Sequence, residues 1–493
     1  MFRTILVANR GEIAVRIIRT CRDMGIRTVA LYDDTDLSSL HVRLAHACVR
    51  LSSGALYYDA AALVQIARDC GADAIHPGYG FLAEHDEFAR ACEEAGIVFI
   101  GPSSAALARV RDKIAVLETV HAADIAVPRH SPRAYRASEW EALRDAAERL
   151  GYPLVLKSYS GGRSHGTRLV REPTQLESMA QHAHSSALTA FGDDRLYLEE
   201  AFLPARYLEV QLVGDRHGNL VHLGERDGSI QHNHHKVVEE SPVPYLTDSQ
   251  RQDLWRQALA IGRLLGCAGA CTIEFVLDAQ GRFYFTEVKA RIQVEHPITE
   301  MRTGIDLVRI QIQVAAGEPL GFSQDDVALR GCAIQARVNA EDPWNHYLPS
   351  PGCLRRFRFP GGPGVRVDTY AYSGCDVPVR YDPLLAKVVA WDETRAGALG
   401  RLRRAIADFA ISGVQTNLPL LQRILDAPEF AAGTYDSDFN RRPLPGAEVP
   451  PEQLRDLAIA AALAYIRRGI DSSGVLPDRA GSGWHRDSRK LPQ

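Results

Sequence analysis

The sequence predicts a mixed fold: a doubly wound, Rossmann-like α/β domain at the N-terminus, passing into α+β architecture rich in strands. Three observations carry this. The first hundred residues alternate short apolar runs with amphipathic stretches. The middle of the chain holds two β-rich runs joined by a three-residue turn, and the remainder mixes strands with one helix. At 493 residues there is room for about three domains.

In the N-terminal part, Ile5–Ala8 reads as a buried strand. The helix after it places Ile13, Ile17, Ile18, Cys21 and Met24 on one face. Strands at Arg27–Tyr32, Ala74–Pro77 and Ile97–Ile100 alternate with helices at Tyr58–Cys70 and Glu84–Ala95, the repetition of a parallel sheet. Ligands of such sheets sit at the carboxyl ends of strands, where Asn9-Arg10-Gly11-Glu12 and His76-Pro77-Gly78-Tyr79-Gly80 fall. Neither segment is GxGxxG, and GxxxxGK[ST] is absent from the sequence, which removes the main support for nicotinamide dehydrogenases and P-loop hydrolases.

Past residue 113 the spacing predicts strands at Tyr152–Lys157, Thr167–Arg171, Arg195–Glu199 and Tyr207–Gly214, with a Gly/Ser loop over Ser158–Gly166. Helices are expected at Gln175–Ala190 and Ser249–Leu265. Cys271–Asp278, the turn Ala279-Gln280-Gly281 and Arg282–Glu287 make a hairpin. Residues 330–445 add strands at Cys332–Asn339, Cys353–Phe359 and Leu385–Ala390 and a helix at Arg395–Ile411. An Ala-rich helix, Pro451–Arg468, precedes a Gly/Ser/Arg-rich end, Gly474–Gln493, expected to be flexible or to bind a partner.

Lys plus Arg number 57 against 61 Asp plus Glu, so no whole-chain field recruits nucleic acid or an anionic membrane. No apolar run approaches the roughly 18 residues of a membrane span. The nine cysteines include no CxxC pair, which fits reduced thiols in a cytoplasmic enzyme.

The chemistry concentrates in Glu287 to Glu295. Glu287, Lys289, Arg291, Gln293 and Glu295 alternate with apolar residues, so an extended chain sends all five to one side. An isolated alternation of this kind is usually a solvated strand face. Here Glu274, on the partner strand of the hairpin, adds a carboxylate near Glu287. Two facing carboxylates repel unless a cation lies between them, and Mg²⁺ shared with nucleotide phosphates is the expected occupant.

NRGEIAVRIIR, HPGYGFLAE, GERDGSIQ, KVVEE and RIQVEHPITEM, then RVNAEDP, LPSPG, YDPLLAK and GVQTNLP, resemble the biotin carboxylases of the ATP-grasp superfamily. The match runs in order, with near-constant spacing, from residue 2 to about residue 440. The resemblance implies an N-terminal α/β domain over 1–112, an ATP-grasp domain over 113–330 with its lid at about 129–203, a C-terminal β-rich domain over 331–445 and a helical and flexible tail over 446–493. It implies ATP, Mg²⁺ or Mn²⁺, bicarbonate as substrate, and biotin presented by a carrier protein. The partners implied are a biotin carboxyl carrier protein and the carboxyltransferase subunit of an acyl-CoA carboxylase, with the chain itself a homodimer.

Residue by residue, the resemblance implies that Glu274 and Glu287 bind the metal. Arg291, Gln293, Val294 and Lys236 surround bicarbonate, Glu295 is the base, and Arg337 steadies the biotin enolate. Lys113 and Lys157 grip the nucleotide phosphates. Glu199 meets the adenine, Gln231 and His234 meet ribose and phosphate, and Gly161, Gly162 and Gly166 belong to the phosphate loop.

Three departures stand out. The loop Lys157-Ser-Tyr-Ser-Gly161-Gly162-Arg163-Ser164-His165-Gly166 has side chains where the family has a run of glycines. Side chains restrict backbone approach to phosphate, although Arg163 and His165 can themselves contact it, so impaired closure and altered closure both stay open. Lys289 stands where the family has Asn, and Tyr207 where it has a nucleotide-site histidine. An ammonium repels Mg²⁺ but can act as a fixed cation in place of part of its charge. Two further readings stay open: a degenerate homologue acting as a binding or regulatory subunit, and an ATP-grasp enzyme with another acceptor. No methionine is followed by Lys-Met, so the biotinylated motif of a carrier is absent.

Overall fold

The computed structural model describes residues 1–51, 57–160, 167–232, 235–439, 442, 455–456 and 458–463. Among these, no helix is long and apolar enough to cross a membrane.

Five parallel strands, β1 (Thr4–Val7), β2 (Arg27–Tyr32), β3 (Ala47–Arg50), β4 (Ala74–His76) and β5 (Val98–Phe99), order as β3-β2-β1-β4-β5. The chain winds outward both ways from β1, whose Ile5, Leu6 and Val7 are fully buried. The doubly wound expectation holds. The sequence reading lacked β3 and the short helix Leu40–Leu44. As an edge strand, β3 alternates half-buried with exposed residues and offers no continuous apolar run. Helices Ser104–Arg111 and Lys113–His121 were also unforeseen, although Ser103 and Asp112 cap them by accepting from the Ala106 and Ala115 amides.

A separate three-stranded antiparallel sheet, β6 (Leu154–Ser158), β7 (Arg168–Val170) and β8 (Leu196–Glu200), has the order β7-β6-β8. Helices Trp140–Leu150 and Pro173–Phe191 close it around a core of its own, including Leu143, Leu154, Leu156, Leu176 and Leu198.

The central element is an antiparallel sheet of eight strands. β9 (Arg206–Gly214), β10 (Leu220–His232), β11 (His235–Ser241), β12 (Gly269–Leu277), β13 (Phe283–Lys289) and β14 (Cys332–Asn339) come first in the chain. β15 (Glu341–Asp342), β16 (Leu348–Pro349), β17 (Gly352–Cys353) and β18 (Arg356–Arg358) are short. β19 (Val365–Thr369), β20 (Asp376–Val377), β21 (Leu384–Asp392) and β22 (Ala410–Ser412) follow. The sheet runs β13-β12-β9-β10-β11-β14-β21-β19, so its hydrogen bonding continues through the residue-330 region. Helix Asp248–Leu265 covers β9 and β12 with Leu254, Ala258 and Ile261.

Several expectations need correction. β10 and β11 were not foreseen, because β10 is polar along much of its length yet buried, and burial of polar groups leaves no hydrophobic alternation. The expected strand Cys353–Phe359 is two short strands, β17 and β18, paired with β20 and β22. The helix expected over Arg395–Ile411 stops at Asp408, where the chain enters β22 to pair with β18. In the second compact unit, beginning at Pro443, residues 455–456 and 458–463 are helical. The rest of the expected Pro451–Arg468 helix and all of Gly474–Gln493 lie outside the described residues.

Candidate active site

The pleat of the central sheet brings the site together. Glu274 on β12 pairs in register with Glu287 on β13 and with Glu209 on β9. Thr272, two residues earlier and therefore on the same face, stands opposite Lys289 and Gln211. Arg226 on β10 stands opposite Glu209. Polar groups thus form rows across four neighbouring strands.

Arg226 organises these rows. Its guanidinium, wholly buried, donates to Glu209 Oε1 at 2.6 Å, Gln211 Oε1 at 2.9 Å, Thr299 Oγ1 at 2.8 Å and Gln293 Oε1 at 2.7 Å. Gln293 then donates to Glu274 Oε1 at 2.9 Å. A planar fork with five donors can serve this many acceptors at once, which a single ammonium cannot.

The expected alternation from 287 to 295 holds as strand only to Lys289. Ala290 and Ile292 still turn into the core, but Gln293–Glu295 form a turn, and Glu295 precedes helix His296–Thr303. Pro297 opens that helix, where a missing amide hydrogen costs nothing. The turn brings Glu295 across the sheet: its Oε1 lies 2.7 Å from Lys236 Nζ on β11 and 2.7 Å from Arg337 Nη2 on β14. Val294 is half-buried in the same turn.

Lys236 also pairs with Glu209 and stands 3.6 Å from Glu274 Oε1. Its stem crosses Gly228, where an added Cβ would meet Lys236 Cδ and Cε at 2.8 Å, so a side chain at 228 would displace the lysine from this path. Arg337 donates from Nε to Glu239 Oε1 at 2.6 Å. Arg291 lies 3.1 Å from Glu84 Oε2, the last residue of HPGYGFLAE.

Burial pushes the Glu295 carboxyl up, but Lys236, then Arg337 and Arg226, outweigh it and hold the carboxyl well below the usual range. Burial raises the Glu239 carboxyl, with Arg337 opposing. Burial lowers the Lys236 ammonium, yet Glu209, Glu295 and Glu274 more than reverse this.

Lys113 approaches Glu287 Oε1 at 3.1 Å, and Lys289 approaches the same oxygen at 2.7 Å. Between β6 and β8, Lys157 pairs with Glu199 Oε2 at 2.5 Å, while among the described residues Glu199 Oε1 is buried without a hydrogen-bond partner. An orphaned carboxylate oxygen suits an incoming donor such as a purine amino group. Gln231 lies on β10 opposite Lys236, and the Tyr207 amide on β9 donates to Ser229 Oγ at 2.9 Å. Gly161, Gly162, Gly166 and His234, with Arg163 and His165, lie outside the described residues.

The facing oxygens of Glu274 and Glu287 are hard donors and fit a divalent ion such as Mg²⁺. Among the described residues no three His, Cys, Asp or Glu cluster as a metal cage. The pair therefore fits an ion that brings phosphate and water ligands of its own.

Sequence reasoning missed Arg226, Glu209, Glu239 and Glu84. Arg226, Glu239 and Glu84 lie inside GERDGSIQ, KVVEE and HPGYGFLAE. Glu209 and Gln211 alternate with Leu208, Val210 and Leu212, a period-two signal for the site-facing side of β9.

Comparison with known proteins agrees with this geometry. Residues 1–107 match the biotin carboxylase N-terminal domain, 112–323 the carbamoyl-phosphate synthase L chain ATP binding domain, and 335–441 the biotin carboxylase C-terminal domain. Biotin carboxylase 1 of Bacillus subtilis is 41% identical over 443 residues, covering 89% of this chain and 98% of that protein. The propionyl-CoA carboxylase alpha chain of Ruegeria pomeroyi is 39% identical over 95% of this chain and 73% of its own length. The biotin carboxylase domain of Hydrogenobacter thermophilus 2-oxoglutarate carboxylase, solved with MgADP, ADP and bicarbonate, superposes with a TM-score of 0.87 at 40% identity, covering 90% of this chain and 97% of that one. The chain belongs to the biotin carboxylase family, ATP-dependent ligases of the ATP-grasp type.

Proposed function

We propose that the chain carboxylates biotin on a separate biotin carboxyl carrier protein, as the cytoplasmic biotin carboxylase component of an acyl-CoA carboxylase. The carboxyltransferase is then a different subunit, and the chain works as a homodimer. One observation carries the reading: Lys236 and Arg337 meet the same Glu295 oxygen, each at 2.7 Å. A carboxylate kept ionised between two cations is a proton acceptor set among groups that stabilise anions. The likeness to a propionyl-CoA carboxylase alpha chain through 95% of this chain supports the acyl-CoA assignment.

Bicarbonate lies among Arg291, Gln293, Val294 and Lys236, where a guanidinium fork suits a planar oxyanion. Glu295 takes its proton, a bicarbonate oxygen attacks the γ-phosphorus, and the bond to ADP breaks, leaving carboxyphosphate. Lys113 and Lys157 hold the phosphates, Glu199 meets the adenine, Gln231 and His234 meet ribose and phosphate, and Gly161, Gly162 and Gly166 are the glycines assigned to phosphate binding. When bound, Mg²⁺ on Glu274 and Glu287 neutralises charge on the phosphate oxygens. Biotin N1′ then gives its proton to the phosphate that leaves carboxyphosphate and takes the carboxyl group, with Arg337 steadying the enolate.

ATP hydrolysis that needs bicarbonate and rises with free biotin tests the reading. Glu295→Gln lowers it by about 10²–10⁴ with ATP binding retained. Tight ATP binding without turnover points instead to a binding subunit, and turnover indifferent to biotin points to another acceptor.

A further inference from the structure

Lys289 stands two residues beyond Glu287 on β13 and faces the same side of the sheet. It is buried, with its ammonium 2.7 Å from Glu287 Oε1, and Lys113 reaches that oxygen from 3.1 Å. Two ammonium groups therefore serve one carboxylate oxygen. Lys113 and Lys289 thus crowd the Glu287 end of the site. At the other carboxylate, Lys236 stands 3.6 Å from Glu274 Oε1. The carboxylates that would hold a divalent ion are thus already partnered by lysines.

An ammonium has no lone pair, so it cannot ligate a metal ion, and its charge repels one. The same charge attracts phosphate oxygens and cancels the repulsion that Glu287 would otherwise exert on them. At short range and low exposure such interactions are weakly screened.

We propose that Lys289 is a resident cation of the phosphate site, supplying at Glu287 part of the positive charge that a divalent ion otherwise supplies. The chain then holds nucleotide phosphates without a divalent ion, and holds the divalent ion itself more weakly. This rests on the nucleotide-binding reading above and extends it from whether a nucleotide binds to what neutralises it.

Calorimetric titration of the full chain with ADP, in EDTA and in Mg²⁺, tests the first consequence. Mn²⁺ titration of the ADP complex, read by the loss of free-ion paramagnetic resonance signal, tests the second. Wild type is expected to bind ADP in EDTA within about tenfold of its affinity in Mg²⁺. Lys289→Asn and Lys289→Gln are expected to weaken metal-free ADP binding about tenfold or more and to tighten Mn²⁺ binding about tenfold. Wild type that binds ADP only with Mg²⁺ overturns the proposal while leaving the nucleotide reading intact, and this arm needs no variant. Variants with unchanged or weaker Mn²⁺ affinity overturn it as well. No ADP binding under any condition removes the nucleotide reading itself, and the proposal with it.

Discussion

Lys387 Nζ, fully buried on β21, lies 3.0 Å from Glu12 Oε2 at the start of the first helix. This ion pair joins NRGEIAVR to YDPLLAK, and Tyr79 of HPGYG donates its hydroxyl to the other Glu12 oxygen. Asn9 donates to the Pro77 and Tyr79 carbonyls at 2.7 and 2.8 Å, and the Arg10 guanidinium sits 4.3 Å from the Tyr381 ring centre. Motifs placed by sequence at strand carboxyl ends thus fasten the first and last thirds of the described chain. Removing one partner of a buried pair leaves an uncompensated charge, so Lys387→Met is expected to cost about 3–5 kcal/mol. Adding Glu12→Gln recovers part of that loss. Urea unfolding of both single variants and the double checks this, and additive losses would rule out the coupling.

Arg226 is a second focus. Arg226→Met takes one cation from the buried Glu209 carboxylate, leaving Lys236 beside it, and removes the donor to Gln211, Thr299 and Gln293; it is expected to cost about 3–5 kcal/mol by urea unfolding. Arg226→Lys keeps the charge but loses the fork that orients Gln293. It should fall between wild type and Arg226→Met in stability and raise KM for bicarbonate more than KM for ATP. Equal shifts in both constants would argue against the orienting role.

Acid sensitivity has an identifiable source at Asp368, which pairs with Arg366 at 2.8 Å and with Lys387 at 3.8 Å. Burial pushes its carboxyl up, but Arg366 and then Lys387 outweigh this and bring it from 3.8 to about 2. A lowered carboxyl stabilises the fold above its unfolded value. This contribution, about 2 kcal/mol, is whole above pH 4 and is lost as pH falls toward 2. Asp368→Asn should therefore unfold more easily than wild type at pH 7, with the gap closing below pH 4. A gap of constant size across that range would exclude the linkage.

Glu239 shares the Arg337 guanidinium with Glu295: Nε donates to Glu239 and Nη2 donates to Glu295. Glu239→Gln removes one charge-assisted hydrogen bond, worth about 1.5–3 kcal/mol. Biotin-stimulated turnover is expected to fall about tenfold or more, with nucleotide affinity unchanged, as read by ADP titration beside the ATPase assay. A loss of ADP affinity of the same size would show that Glu239 serves the whole sheet rather than Arg337.

How much was legible before folding differs from element to element. The parallel N-terminal sheet followed from apolar runs at β1, β2 and β4, because parallel strands are buried on both faces. The Glu274–Glu287 juxtaposition followed from a short turn, which sets the register of a hairpin locally. β10 and β11 did not follow, since key buried charges on them are satisfied by partners distant in the chain, such as Gln293 and Glu295 for Arg226 and Lys236.

Side-chain identity and strand period are local properties, so the chemical groups this protein carries and the hairpin that opposes two of its carboxylates were legible residue by residue. The tertiary structure alone decided that Glu295 leaves the strand pattern to meet Lys236 and Arg337, and that Lys289 and Lys113 share Glu287. Charge pairing depends on distances of a few ångströms, and only the closing of β9, β10, β11 and β14 into one sheet sets those distances.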